Sequence, residues 1–215
     1  EAMQGNETGN NNVAIGNAAL YFNKSVNYLV AIGDSALYYN EYNIVPPASG
    51  GGGNVAVGAK SLMNNTSGFQ NTAMGMQSLK MNTTGSWNTA IGHNTMSKTT
   101  TGYKNTGVGA NVLYSNTTGI YNVGLGESAL YFNTTGKHNV AMGVDALNGN
   151  DTGISNIGIG TSAIKSNHTG SDNIGIGSYA LHSNEIASRN IAIGDSALYS
   201  NGYQWVSGDP LPKEN

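Results

Sequence analysis

Polar and apolar positions repeat in a fixed order along almost the whole chain. An Asn is followed by an apolar, a small and an apolar residue, and then by Gly, as in Asn139-Val140-Ala141-Met142-Gly143. The anchoring glycines are Gly16, Gly33, Gly58, Gly75, Gly92, Gly109, Gly126, Gly143, Gly160, Gly177 and Gly194. Every step between them is 17 residues except Gly33 to Gly58, which is 25. A strict period of this kind is the signature of a solenoid, in which each unit rests mainly on its two neighbours.

We number each unit from its Asn as position 1. Position 2 is Val, Thr or Ile, position 3 is always Ala or Gly, and position 4 is Ile, Val, Met or Leu. That alternation and its β-branched bias predict a short strand, with residues 2 and 4 on one face and residue 3 on the other. The larger side chains are expected inside, and Gly at position 5 is expected to turn the chain. A second short strand is expected at positions 8 to 11, as in Ala129-Leu130-Tyr131-Phe132, with Leu at position 9 in nearly every copy. Position 12 is Asn except for Thr99, and turn residues such as Thr134-Thr135-Gly136 follow.

These elements predict an all-β fold, a parallel β-solenoid of about eleven 17-residue coils stacked at ~4.8 Å into a rod of about 50 Å. Stacking would place like on like, with Asn ladders at positions 1 and 12. Such a core is thin, so association with further copies is expected, the small-residue face at position 3 allowing close approach. Residues 1–11 read as a partial coil or cap and residues 12–201 as the repeat domain. An inserted loop is placed at 46–53, and residues 202–215, with Trp205, Pro210 and Pro212, read as a cap or connector.

Composition narrows the functions. Charged residues are 10% and the net charge is −3, which is no footprint for nucleic acid. Low charge and 31 glycines would suggest disorder, but the strict order of the pattern argues against it. There is no Cys, hence no disulfide framework and no thiolate metal site. No apolar run reaches the ~18–20 residues of a membrane helix, so no direct membrane insertion is expected. The start at Glu1, without a signal-like stretch, suggests a mature product or a fragment.

Catalytic chemistry is not expected. Gly124-Leu-Gly126-Glu-Ser-Ala129 and two similar segments match a dinucleotide fingerprint, but a further strand follows where that fingerprint needs a helix. His93, His138, His168 and His182 fall at four different repeat positions, and Asp34, Glu127 and Asp195 in distant coils, so no metal site, cofactor or carboxylate pair is expected. Aromatic residues are the candidate receptor contacts: Tyr21, Phe22, Tyr38, Tyr39, Tyr131 and Phe132 at positions 10 and 11, and Trp87, Tyr103 and Tyr121 at positions 16 and 17. Packing between coils or chains is the plainer use of the same rings. Asn-x-Ser/Thr at Asn65, Asn82, Asn116, Asn133, Asn150 and Asn167 reads as turn chemistry rather than as glycosylation sites.

The unit Asn190-Ile191-Ala192-Ile193-Gly194 with Ala197, and Asn139 to Gly143 with Ala146, resembles the head repeat of YadA-like trimeric autotransporter adhesins. The longer variants with an Asn-Thr-Thr-Gly turn resemble repeats of phage tail fibres. The likeness covers residues 12 to about 201, although the unit here is longer than the usual YadA-like one. It implies a left-handed β-roll, a homotrimer, an extracellular place on a bacterial surface or a virion, and attachment to a surface glycan or protein receptor. A structural spacer without its own ligand is the alternative, and an ice-binding solenoid is a weaker one, because Thr stacks at position 2 only at Thr72, Thr89 and Thr106.

Overall fold

The computed structural model describes residues 1–42 and 51–200. It contains eleven three-residue strands: Val13–Ile15 (β1), Val30–Ile32 (β2), Val55–Val57 (β3), Thr72–Met74 (β4), Thr89–Ile91 (β5), Thr106–Val108 (β6), Val123–Leu125 (β7), Val140–Met142 (β8), Ile157–Ile159 (β9), Ile174–Ile176 (β10) and Ile191–Ile193 (β11). They form one parallel sheet in sequence order, each residue paired with its equivalent in the next coil, as in Val123↔Val140. The fold is thus an all-β parallel β-solenoid of eleven coils, with N-terminal residues laid on the first of them (Met3 N–H to Ala19 O, 2.9 Å).

The sheet faces the opposite way from the expectation. Position 3 points inward: Ala31, Ala56, Ala73, Ala90 and Ala141 are fully buried. Positions 2 and 4 lie on the outer face, and Ile191 and Ile193 are 65% and 70% exposed. The reason is the narrowness of the coil. Leu at position 9 (Leu37, Leu113, Leu130, Leu147) fills the interior with Ala at position 8, leaving a gap that only Ala or Gly can close. At Gly124 and Gly175 the residue opposite excludes even Ala. A Cβ on Gly124 would stand 2.5 Å from Val112 Cγ1, and one on Gly175 2.7 Å from Ile164 Cγ1. Position 3 therefore cannot be the surface that meets another chain.

The second strand at positions 8 to 11 does not form. That run is a series of turns in which positions 7 and 9 both take left-handed backbone, for example Ser128 (φ 57°) and Leu130 (φ 55°). Alternating the hand of successive residues turns their N–H groups along the rod axis. Leu130 N–H reaches Ala146 O at 3.0 Å and Ser128 N–H reaches Ala110 O at 3.0 Å. Left-handed Leu is costly for an isolated chain, and here it is held by these bonds between coils and by complete burial. At position 5, Gly is required twice over. Gly126 has φ 113°, and a Cβ there would press on the Gly143 carbonyl above it.

Both Asn ladders are present. At position 1, Asn122 Nδ2 donates to Asn105 Oδ1 (3.2 Å) and to Gly136 O (2.8 Å), and Asn122 N–H also reaches Asn105 Oδ1. At position 12, Asn133 Nδ2 donates to Asn116 Oδ1 (2.9 Å). These amides are fully buried, so the ladders satisfy groups that would otherwise be costly. Thr99 interrupts the second ladder, and Asn82 Oδ1 and Thr99 Oγ1 are left buried without hydrogen-bond partners.

Of the expected loop at 46–53, only Gly51, Gly52 and Gly53 are among the described residues. Gly51, Gly52 and Gly53 belong to the coil: Gly51 O accepts from Asn54 Nδ2 (2.5 Å) and Gly52 O from Gln70 N–H (3.0 Å). Pro46, Pro47 and the connector with Trp205, Pro210 and Pro212 lie outside the described residues. The stack continues across the insertion, with Asn65 Nδ2 donating to Asn40 Oδ1 at 3.1 Å.

Two expectations follow for stability. Thr99→Asn restores the missing rung, and should stabilise the fold by about 1–3 kcal/mol, seen as a higher melting temperature by circular dichroism. No gain would mean that the ladder contributes nothing. Gly124→Ala should destabilise by about 1–3 kcal/mol through overpacking, and Val112→Ala in the same chain should relieve most of that loss. Additive effects in the double-mutant cycle would refute the contact.

Candidate functional site

Three surfaces are candidates, and each follows from one repeat position stacking on itself. The outer sheet face carries two aliphatic columns: position 2 from Val13 to Ile191 and position 4 from Ile15 to Ile193. Thr72, Thr89 and Thr106 are the polar members, side by side in the middle of the first column. At ~4.8 Å per coil and about 10 Å of width this is an apolar stripe of roughly 500 Å², comparable to the largest patch on an ordinary monomer, which is often functional. Sequence reasoning missed it, because large apolar residues in a strand are ordinarily read as core.

The second surface is aromatic. Tyr21, Phe22, Tyr38 and Tyr39 come together in one network with Tyr42. Tyr21 stacks on Tyr38 at 5.2 Å, Phe22 on Tyr39 at 5.7 Å, and Tyr42 meets Tyr39 edge-on at 5.2 Å. Partial burial, then Tyr39, Tyr21 and Tyr42, push the Tyr38 hydroxyl above the ordinary phenol range. Tyr131 stacks on Tyr114 at 5.1 Å and meets Phe132 edge-on at 4.7 Å. In the turn column Trp87 packs on Phe69 (4.5 Å), Tyr103 on Tyr121 (5.7 Å) and Tyr121 on His138 (5.0 Å). Lys104 bridges Trp87 and Tyr121, its ammonium 5.4 and 5.1 Å from the two ring centres. The nine predicted contacts thus form three separate groups, not one site.

The third kind of surface is a groove, made where one coil lacks a side chain that its neighbours carry. Gly52 and Gly53 interrupt the turn column between Tyr28 and Phe69, opening a groove of about 600 Å³. Gly149 interrupts position 11 above Phe132, opening another of about 420 Å³. Beside the first groove, Glu41 repairs the ladder at the insertion. Elsewhere the position-13 carbonyl accepts two or three N–H groups from the coil before, as Thr83 O does from Thr66, Ser67 and Gly68. At the insertion the Glu41 carboxylate takes two of them, from Lys24 N–H (2.9 Å) and Ser25 N–H (2.7 Å), and also the Ser25 hydroxyl (2.5 Å).

Among the described residues no group of three or more His, Cys, Asp or Glu is placed to hold a metal ion. No helix there is long and apolar enough to cross a membrane. Lys165 pairs with Asp145 at 3.0 Å. Burial, and secondarily Lys165, lower the His182 pKa, while its ring stacks on Tyr199 at 4.8 Å. At the six turns named above (Asn65, Asn82, Asn116, Asn133, Asn150 and Asn167) the Asn is fully buried, with its amide donating inside the fold, as Asn150 Nδ2 does to Asn133 Oδ1 (2.9 Å). The turn explains these sequences, and a glycan has no room at those nitrogens.

Glu41 gives the rod an acid-sensitive end. Partial burial raises its pKa, but the hydrogen bonds from Ser25, Lys24 and Val26 outweigh that and hold it below the ordinary value. A depressed carboxylate contributes stability above its unfolded pKa of ~4.3 and loses it as pH falls through the lower folded value. Wild type should therefore melt above Glu41→Gln at pH 6, with the difference shrinking towards pH 3. A difference independent of pH would refute the role of the charge.

No protein-family model, no curated protein and no solved structure matches the chain. Its sheet topology and register place it among the parallel β-solenoids.

Proposed function

We propose that this chain is a non-enzymatic segment of an extracellular homotrimeric fibre or adhesin head, which attaches a cell or a virion to a surface receptor. The observation that carries the reading is the outward aliphatic sheet face. It runs the length of eleven coils and is apolar at nearly every position. Burial of such a face against other copies stabilises both the assembly and the thin coils behind it. Three copies agree with the resemblance to YadA-like heads, and the left-handed β-roll belongs to the same reading. The aromatic columns and the grooves lie at other repeat positions, so a rod assembled through its sheets keeps them outward. Weak contacts repeated in three chains would then add up through effective concentration. The regular stack would serve equally as a rigid spacer, and binding of the purified rod to cells separates the two roles.

Solution mass by light scattering tests the assembly. The expected value is three times the chain mass of 22.2 kDa. Val123→Asp together with Val140→Asp should yield monomers, whereas Thr152→Asp, on an exposed turn, should leave the mass unchanged. A wild-type monomer with intact circular dichroism would sink the proposal.

A further inference from the structure

We infer that the groove beside Gly149 binds a neutral pyranose, as part of a surface glycan; this inference rests on the attachment reading above. Its lining is Ser115, Phe132, Thr134, Gly149, Asp151 and His168, and its volume of about 420 Å³ suits one or two sugar rings.

The groove is fixed by the backbone. At position 11 the column reads Ser115, Phe132, Gly149, Ser166. Gly149 N–H donates to Lys165 O at 2.7 Å, and a Cβ on Gly149 would stand 2.8 Å from that same oxygen. A side chain there would require the Lys165 carbonyl to shift, so the gap belongs to the backbone as it stands. One wall is the Phe132 ring, which is 54% exposed. Its orientation is set by the edge-on contact with Tyr131 at 4.7 Å, and Tyr131 is itself stacked on Tyr114. Phe132 thus offers a positioned, water-facing ring beside the gap.

Hydrogen-bonding groups converge on the same gap. Asp151 Oδ1 accepts from Thr134 Oγ1 at 2.5 Å, which holds the carboxylate in place and leaves Oδ2 for a ligand hydroxyl. His168 and Ser115 supply a ring nitrogen and a hydroxyl. A pyranose matches both halves of this arrangement. Its C–H face carries slight positive charge and lies well on the negative face of an aromatic ring. Its hydroxyls donate to a carboxylate in charge-assisted bonds. The sign of the charge selects among sugars. Asp151 repels sialic acids, uronates and phosphosugars, and neither Lys nor Arg lines the groove to offset that repulsion.

The test uses the full chain on an array of neutral and sialylated glycans. Saturation-transfer NMR with methyl β-galactopyranoside and methyl β-glucopyranoside follows. Neutral glycans should bind, and Phe132→Ala and Asp151→Asn should each weaken binding about tenfold. Thr101→Ala, on an exposed turn outside the groove, should bind as wild type does, and thermal melts and solution mass should show all variants folded and assembled. Loss of binding confined to the two groove variants supports the site. Binding indifferent to Phe132→Ala, a preference for sialylated glycans, or no saccharide signal at all overturns it. Cell attachment that survives Phe132→Ala overturns the groove while leaving the attachment role standing. Wild type that attaches to no cell removes the role and the groove together.

Discussion

The structure depends on one constraint: backbone hydrogen bonds between coils hold every residue directly over its equivalent in the next coil. Strand register, both Asn ladders and the alternating left-handed run at positions 7 and 9 all express it. Each repeat position must therefore tolerate contact with itself. Asn does so because its amide is both donor and acceptor, and aromatic rings do so by stacking. Charges do not, since like charges side by side repel. This accounts for a chain with only 10% charged residues, in which neighbouring charged positions of one column alternate in sign, as with Lys24 and Glu41.

Much of the fold was legible in the sequence, because period and register are properties of spacing. The seventeen-residue step fixed which residues pair, and Asn-Thr-Thr-Gly marked the turns. The facing of the sheet was not legible. Alternation separates two sets of side chains without saying which set lies inside, and the usual choice of the larger set fails when the interior is nearly filled by Leu130 and its equivalents. The turn run at positions 8 to 11 was hidden for a related reason. Leu and aromatic residues suggest a strand, whereas the contacts between coils impose left-handed dihedrals that no local preference favours.

The candidate sites were legible in part. Aromatic residues could be named, but their division into three groups depends on which columns are neighbours around the coil. The grooves depend on residues that lack side chains, and a glycine such as Gly149 is one among 31 in the sequence. The significance of Glu41 is likewise invisible in one dimension. It takes the place of a backbone carbonyl in the one repeat that is eight residues longer than the others.

The gap at Thr99 has a mechanical meaning. Bonds between coils run along the rod axis, so a pull along that axis loads them directly and in series. A series of links parts at its weakest member, and the junctions on either side of Thr99 lack amide rungs that the other position-12 junctions possess. Under axial load those junctions share the force among fewer bonds, as do those beside Leu29, where the position-1 ladder loses its amide.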